Sequence, residues 1–96
     1  MSEQNVDPVL RRFREQISDT DRAIVDAVNK RLALVAQVKA HKQARGLDFL
    51  DPGREEWMLQ DLTQANPGPL SAGGLRELLS AILDLTKREV AGDHGG

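Results

Sequence analysis

The chain has 96 residues, of which 29% are charged and 3% aromatic, and its formal net charge at pH 7 is −2. This length predicts one domain, and so small a charge excludes a global basic field that would gather nucleic acid, so any cationic site must be local. The absence of cysteine excludes disulfides, thiolate zinc sites and cysteine nucleophiles. No apolar stretch approaches the ~20 residues that span a bilayer, and the N-terminal residues lack the layout of a signal peptide, which favours a cytoplasmic protein without membrane contact.

The first predicted element is one long helix from Pro8 to about Ala44. Asp7 suits its N-cap and Pro8 its first turn, and Gly46 indicates its C-terminal stop. A helix of about 37 residues would be roughly 55 Å long. Its apolar positions follow three- and four-residue spacing, as one face of a helix requires. They are Leu10, Phe13, Ile17, Ile24, Val28, Leu32, Val35 and Val38.

Two shorter helices are predicted after a loop at residues 47–51. Asp51 as N-cap and Pro52 at the first helical position open the second helix, which ends near Ala65. The segment Asn66-Pro67-Gly68-Pro69 breaks the chain, and Ser71 suits the N-cap of a third helix. The predicted fold is therefore all-α, without strands. The predicted organisation is a disordered N-terminus at 1–7, a helical domain at 8–91 and a disordered tail at 92–96.

The apolar stripe of the long helix predicts a homodimer. A globule of this size has a radius of gyration of only about 13 Å, so the helix would protrude beyond its own domain. Two shorter helices cannot cover its length by folding back once, and a second copy of the chain is the simplest cover. We therefore expect a three-helix protomer intertwined into a dimer with symmetry-related sites. The alternative is a break near Asp19-Thr20-Asp21, which would give a monomeric four-helix bundle.

Arg31 occupies a position of the long helix where an apolar residue is expected. A cation on a buried seam is costly unless an anion pairs with it. Lys42 lies eleven residues further on and, at ~100° per residue, points within ~20° of the same direction. Two cations on one side of the helix indicate a pocket for a small anion. The other members of the seven-residue series that contains Arg31 are all aliphatic: Leu10, Ile17, Ile24 and Val38.

Further charged residues join these two cations. Arg54 and Glu55 lie in the first turn of the second helix, after the loop that follows Lys42, and Arg14 could serve the partner's pocket in a dimer. Arginine suits bidentate capture of a carboxylate and lysine a single contact, so the set fits a small dianion that also bears a hydroxyl. The candidate residues are Arg14, Arg31, Lys42, Asp51, Arg54 and Glu55.

Each candidate also has a purely structural interpretation. Arg14, Arg54 and Glu55 would then be solvated helix surface, Lys42 a partner of the helix dipole, and Arg31 a snorkelling side chain at the edge of the seam. The chain shows no Ser/His/Asp arrangement, no phosphate-binding glycine loop and no metal-ligand spacing. An enzyme built on this chain would need no metal or cofactor and would act through positioning and electrostatics.

Four motifs in combination resemble the all-α chorismate mutases. The resemblance extends from about residue 9 to 90, and the combined spacing is specific although no single motif is. The stretch from Asp51 to Leu70 is most similar to the mutase domains fused to the synthase that opens the aromatic pathway. The motifs are Phe13-Arg14-Glu15-Gln16-Ile17-Ser18-Asp19-Thr20-Asp21, Lys30-Arg31-Leu32, Val38-Lys39-Ala40-His41-Lys42 and Asp51-Pro52-Gly53-Arg54-Glu55.

The resemblance implies an intertwined dimer with two active sites. The reaction would be the [3,3] rearrangement of chorismate, a small dicarboxylate, to prephenate, without a cofactor. By position, Arg14 matches an arginine lent to the partner's site. Arg31 matches a carboxylate-binding arginine, and Lys42 matches the lysine that hydrogen-bonds the ether oxygen. Arg31 and Lys42 are therefore the expected catalytic residues.

The remaining substrate-binding residues are also assigned by the resemblance. Asp51 and Glu55 match acidic residues near the substrate hydroxyl and the lysine, and Arg54 matches an arginine near the second carboxylate. Thr86 falls where the family often has serine. Val90 departs from the family, which usually has glutamine or glutamate there as a second polar contact to the ether oxygen. Valine cannot donate a hydrogen bond, so activity is expected to be low unless Glu89 or a partner protein compensates.

Three other functions remain open. An isochorismate pyruvate lyase shares this scaffold and the same cations. A regulatory module would be a poor catalyst alone and would dock onto a synthase of the aromatic pathway, which Val90 mildly favours. A plain helical dimerisation domain would bind no ligand.

Overall fold

The computed structural model describes residues 7–48 and 51–91, and these residues form helices without any strand. The all-α fold with one long N-terminal helix was predicted and is confirmed. A π-helical turn at the end of the third helix was not predicted. The elements are α1 (Pro8–Arg45), α2 (Pro52–Ala65), α3 (Ala72–Thr86) and the π-helical turn (Lys87–Ala91).

The chain divides into two compact units, Met1–Ala33 and Leu34–Gly96, with the boundary inside α1. The described part of the first unit is the N-terminal portion of α1. The second unit contains the rest of α1, together with α2, α3 and the π-helical turn. The disorder predicted for residues 1–6 and 92–96 lies outside the described residues. Within the described ranges, no helix combines the length and apolar character needed to cross a membrane.

The first turn of α1 is capped as predicted. The Asp7 carboxylate accepts a hydrogen bond from the Val9 amide at 2.7 Å, and the Asp7 carbonyl accepts one from the Arg11 amide at 3.0 Å. These bonds satisfy amides that have no partner inside the helix. The helix then runs through Asp19-Thr20-Asp21 without interruption, which excludes the alternative with a broken helix.

Gly46 ends α1 by adopting a left-handed conformation with φ of +70°. The Gly46 amide donates to the Gln43 carbonyl at 3.3 Å, and the Leu47 amide donates to the Lys42 carbonyl at 2.8 Å. These two bonds form a Schellman motif, which satisfies the last carbonyls of a helix. A side chain at Gly46 would meet no atom within 4 Å, so glycine is needed there for the backbone angle and not for space.

Side-chain caps also open α2 and α3, as predicted. The Asp51 carboxylate accepts a hydrogen bond from the Arg54 amide at 3.1 Å, and the Ser71 hydroxyl accepts one from the Gly74 amide at 3.0 Å. A Cβ atom at Gly74 would lie 2.9 Å from a methyl carbon of Leu70. Gly74 therefore lowers helix propensity in this turn but allows Leu70 to pack closely against it.

Few side chains are fully buried in the described part of the chain. In α3, Leu75 is 6% and Leu79 5% exposed, whereas no residue of α1 is buried. Five apolar side chains of α1 are between 40% and 58% exposed. The stripe that predicts a second copy of the chain is thus largely open to solvent in a single protomer. These five residues are Leu10, Phe13, Ile17, Ile24 and Val38.

Candidate active site

The first unit contains two of the predicted site residues, Arg14 and Arg31. Arg14 is exposed near the start of α1, whereas Arg31 is half-buried. The aliphatic members of the seven-residue series around Arg31 are each at least 40% exposed, so the guanidinium-bearing residue is better covered than they are. Partial cover strengthens the interaction of a cation with an anion, because less water screens it.

The second unit brings three helices together at the end of α3. Lys39 of α1 donates a hydrogen bond from its ammonium to the Val90 carbonyl at 3.0 Å. Glu55 of α2 lies 3.7 Å from the Lys87 ammonium, measured from its carboxylate oxygen. These contacts place Glu55, a predicted site residue, beside the segment 86–90 that contains two others. Lys42 is half-buried in this same unit.

Asp51 and Arg54 make local contacts at the start of α2. The Asp51 carboxylate caps the helix through the Arg54 amide, a contact that also fixes where the carboxylate lies. The Arg54 guanidinium stacks over the Trp57 ring, 4.5 Å from its centroid. A stacked guanidinium keeps its edge donors and is held in one orientation, which suits bidentate recognition of a carboxylate. Trp57 itself is half exposed and so is not part of the protomer core.

Thr86 and Val90 lie one helical turn apart at the end of α3. Thr86 is 8% exposed, and its hydroxyl donates to the Ile82 carbonyl at 2.7 Å. Val90 is half-buried and engages Lys39 through its backbone carbonyl. The side chain of Val90 has no polar atom. At this position only the backbone takes part in polar contacts.

Lys39 is the polar residue that the sequence analysis missed in this region. It precedes Lys42 by three residues, and residues three apart on a helix lie on the same face. That spacing is the available sequence signal, but it does not distinguish Lys39 from a solvated lysine. Its role follows from a contact with a carbonyl that is 51 positions away in the sequence.

An open cleft of about 400 Å³ lies between α2 and α3. Carboxylates and one arginine line it together with apolar side chains, so it has both charged and apolar walls. Glu55 belongs to this cleft as well as to the contact with Lys87. The lining residues are Glu55, Glu56, Met58, Leu59, Arg76, Leu79, Ser80 and Leu83.

Comparison with known proteins gives concordant results. Two crystal forms of a chorismate mutase from Thermus thermophilus share this fold. Form I is 31% identical, with a TM-score of 0.77 over 80% of this chain and 96% of that chain. Form II is 28% identical, with a TM-score of 0.81 over 90% of this chain and 98% of that chain. Among curated proteins, no sequence matches the chain.

The profile of the chorismate mutase type II family matches residues 13–90, which include every residue proposed for the site. The family prediction made from the four motifs is confirmed, as is the prediction that the protein is an enzyme of this isomerase family. The chain belongs to the chorismate mutase type II family.

Proposed function

We propose that the protein converts chorismate to prephenate by a [3,3] rearrangement. The observation that carries this proposal is the family match over residues 13–90, a span that retains Arg31 and Lys42. Both residues are half-buried, whereas fully solvated cations would interact weakly with a ligand. They also belong to one uninterrupted helix at a spacing that repeats the same direction.

Lys42 supplies the main catalytic interaction in this proposal. As the ether bond breaks and the carbon–carbon bond forms, negative charge grows on the ether oxygen. An ammonium beside that oxygen stabilises the transition state more than the ground state, which is the condition for a higher kcat. The reaction needs no proton transfer, so no side chain has to act as a general acid or base.

The arginines hold the substrate in its reactive conformation. Arg31 and Arg54 bind the two carboxylates, so that the flexible enolpyruvyl arm folds over the ring. Asp51 and Glu55 lie near the substrate hydroxyl and the lysine. Glu55 already lies beside segment 86–90 through its contact with Lys87, which supports a place for it at the site.

We further propose that the enzyme acts as an intertwined homodimer in which Arg14 serves the partner's site. The support is the exposed apolar stripe of α1, which a second copy would cover. Mixed dimers of Arg14→Ala and Arg31→Ala test the shared site. If Arg14 acts across the dimer, mixing the two inactive variants restores one intact site per dimer; no recovery would place both arginines in the same chain's site.

Val90 favours one second candidate, a weakly active regulatory module that docks onto a synthase of the aromatic pathway. Its side chain offers no donor for the ether oxygen, and one such donor is worth about 10²–10³ in kcat. Activity of the purified protein that rises on addition of the synthase would support this role. The predicted cytoplasmic location stays a prediction.

The decisive experiment follows chorismate consumption by the purified protein and identifies the product. The proposal expects prephenate from chorismate. Pyruvate and an aromatic acid from isochorismate, without prephenate from chorismate, would identify an isochorismate pyruvate lyase instead. A thermal shift with a prephenate-like dicarboxylate gives an independent test, because a ligand that binds the folded state stabilises it. No shift and no turnover would leave a plain dimerisation domain.

A further inference from the structure

The hydrogen bond between Lys39 and Val90 ties α1 to the end of α3. The donor is an ammonium and the acceptor a backbone carbonyl at 3.0 Å, in a part-buried position. Hydrogen bonds from charged donors are stronger than neutral ones, and partial burial reduces competition from water. This bond is therefore expected to be worth more than the exposed ion pair between Arg22 and Asp19 on the same helix.

The acceptor lies where the helix needs a partner from outside. The last carbonyls of a helix have no amide partner within it, and the segment Lys87–Ala91 is π-helical. π-helical turns are rare and are frequently found at functional sites. Lys39 satisfies one of these carbonyls, and so it stabilises this particular ending of α3 against α1.

The direction of Lys39 makes this ending relevant to Lys42. Both lysines lie on one face of α1, three residues apart, so a segment held by Lys39 lies next to the face that carries Lys42. We infer that Lys39 is a positioning residue for the rearrangement: it fixes the end of α3, including Val90, as a wall of the site beside Lys42. This inference rests on the proposed function.

The kinetic consequence is a split between KM and kcat. Without the bond, the wall is in place for only a fraction of the time, and the apparent affinity for substrate falls by that fraction. Saturating substrate selects the ordered arrangement, so turnover at saturation changes little. For Lys39→Met, which retains the apolar stem without the charge, we expect KM to rise about tenfold and kcat to stay within about threefold.

Two variants accompany this substitution. Lys39→Arg keeps a charged donor that can reach the same carbonyl, and it should restore KM to within about threefold of the wild-type value. Lys30→Met removes an exposed lysine from the same helix and should leave both constants unchanged. Hydrogen–deuterium exchange of residues 87–91 reports on the contact directly, and Lys39→Met should accelerate it.

The outcomes separate the positioning role from simpler ones. Faster exchange with unchanged KM would show a structural contact only and would overturn the inference, as would unchanged exchange. A fall in kcat without a rise in KM would also overturn it, because Lys39 would then act on the transition state. A wild-type protein without mutase activity would contradict the proposed function and the positioning role together. Active wild type with unaltered Lys39→Met kinetics would contradict the positioning role alone.

Discussion

Truncation of Ile17 should weaken the proposed dimer without unfolding the protomer. Ile17 is 58% exposed in a single chain, so that share of its surface is available for burial by a second copy. Full burial of an isoleucine side chain is worth about 1.5–3 kcal/mol, and the available share therefore roughly 0.9–1.7 kcal/mol. The residue occurs twice in a symmetric interface, and alanine keeps the Cβ, so Ile17→Ala should cost about 1.5–3 kcal/mol per dimer. The dimer Kd should rise about 10- to 150-fold.

Val25 provides a matched control for this measurement. It is also 58% exposed and also on α1, but it lies off the apolar stripe. Sedimentation equilibrium over a concentration series gives the Kd of each variant, and Val25→Ala should leave it within about threefold of the wild-type value. Equal effects of the two truncations, or a wild-type chain that is monomeric throughout the series, would refute the reasoning.

Two stability predictions concern the protomer itself. Leu79→Ala should lower the free energy of unfolding by about 2–5 kcal/mol, because Leu79 is among the few buried side chains, whereas Leu78→Ala should cost less since its side chain is half exposed. Urea unfolding at one protein concentration measures both, and similar losses would contradict the placement of the core. Gly46→Ala should destabilise by about 1 kcal/mol because of its positive φ, while Gly73→Ala within α3 should stabilise by a similar amount. The same sign for both, in thermal melts, would contradict this backbone assignment.

The helices could be predicted because their start and stop signals are local. Asp51 and Ser71 each accept a hydrogen bond from an amide three residues later, so the residue type and its position suffice to place the first turn. Gly46 has the left-handed conformation that ends a helix, and glycine adopts it without steric cost. The bounds of α2 follow directly from such signals.

The end of α3 could not be predicted in the same way. The apolar spacing continues smoothly to Val90, yet the helix becomes π-helical at Lys87. A change of hydrogen-bond register leaves no trace in residue composition, and here it coincides with a contact from Lys39, far away in sequence. Lys39 itself was not selected because an isolated lysine on a helix is usually solvated.

The candidate site was predicted mainly by resemblance, and the structure adds where its parts lie. Glu55 is brought to the end of α3 through Lys87, and Arg54 is held against Trp57, neither of which spacing alone indicates. Arg31 was chosen because a cation interrupts an aliphatic series, and its partial burial is consistent with that choice. The substrate contacts of these residues stay predictions.

The central claim is that a fixed ammonium on α1 stabilises negative charge on the ether oxygen in the transition state. The most direct test is the kcat of Lys42→Ala with saturating chorismate, with circular dichroism as the check on folding. The account predicts a fall of about 10²–10³-fold, the loss expected for one electrostatic donor. A folded Lys42→Ala variant that turns over chorismate at the wild-type rate would contradict it.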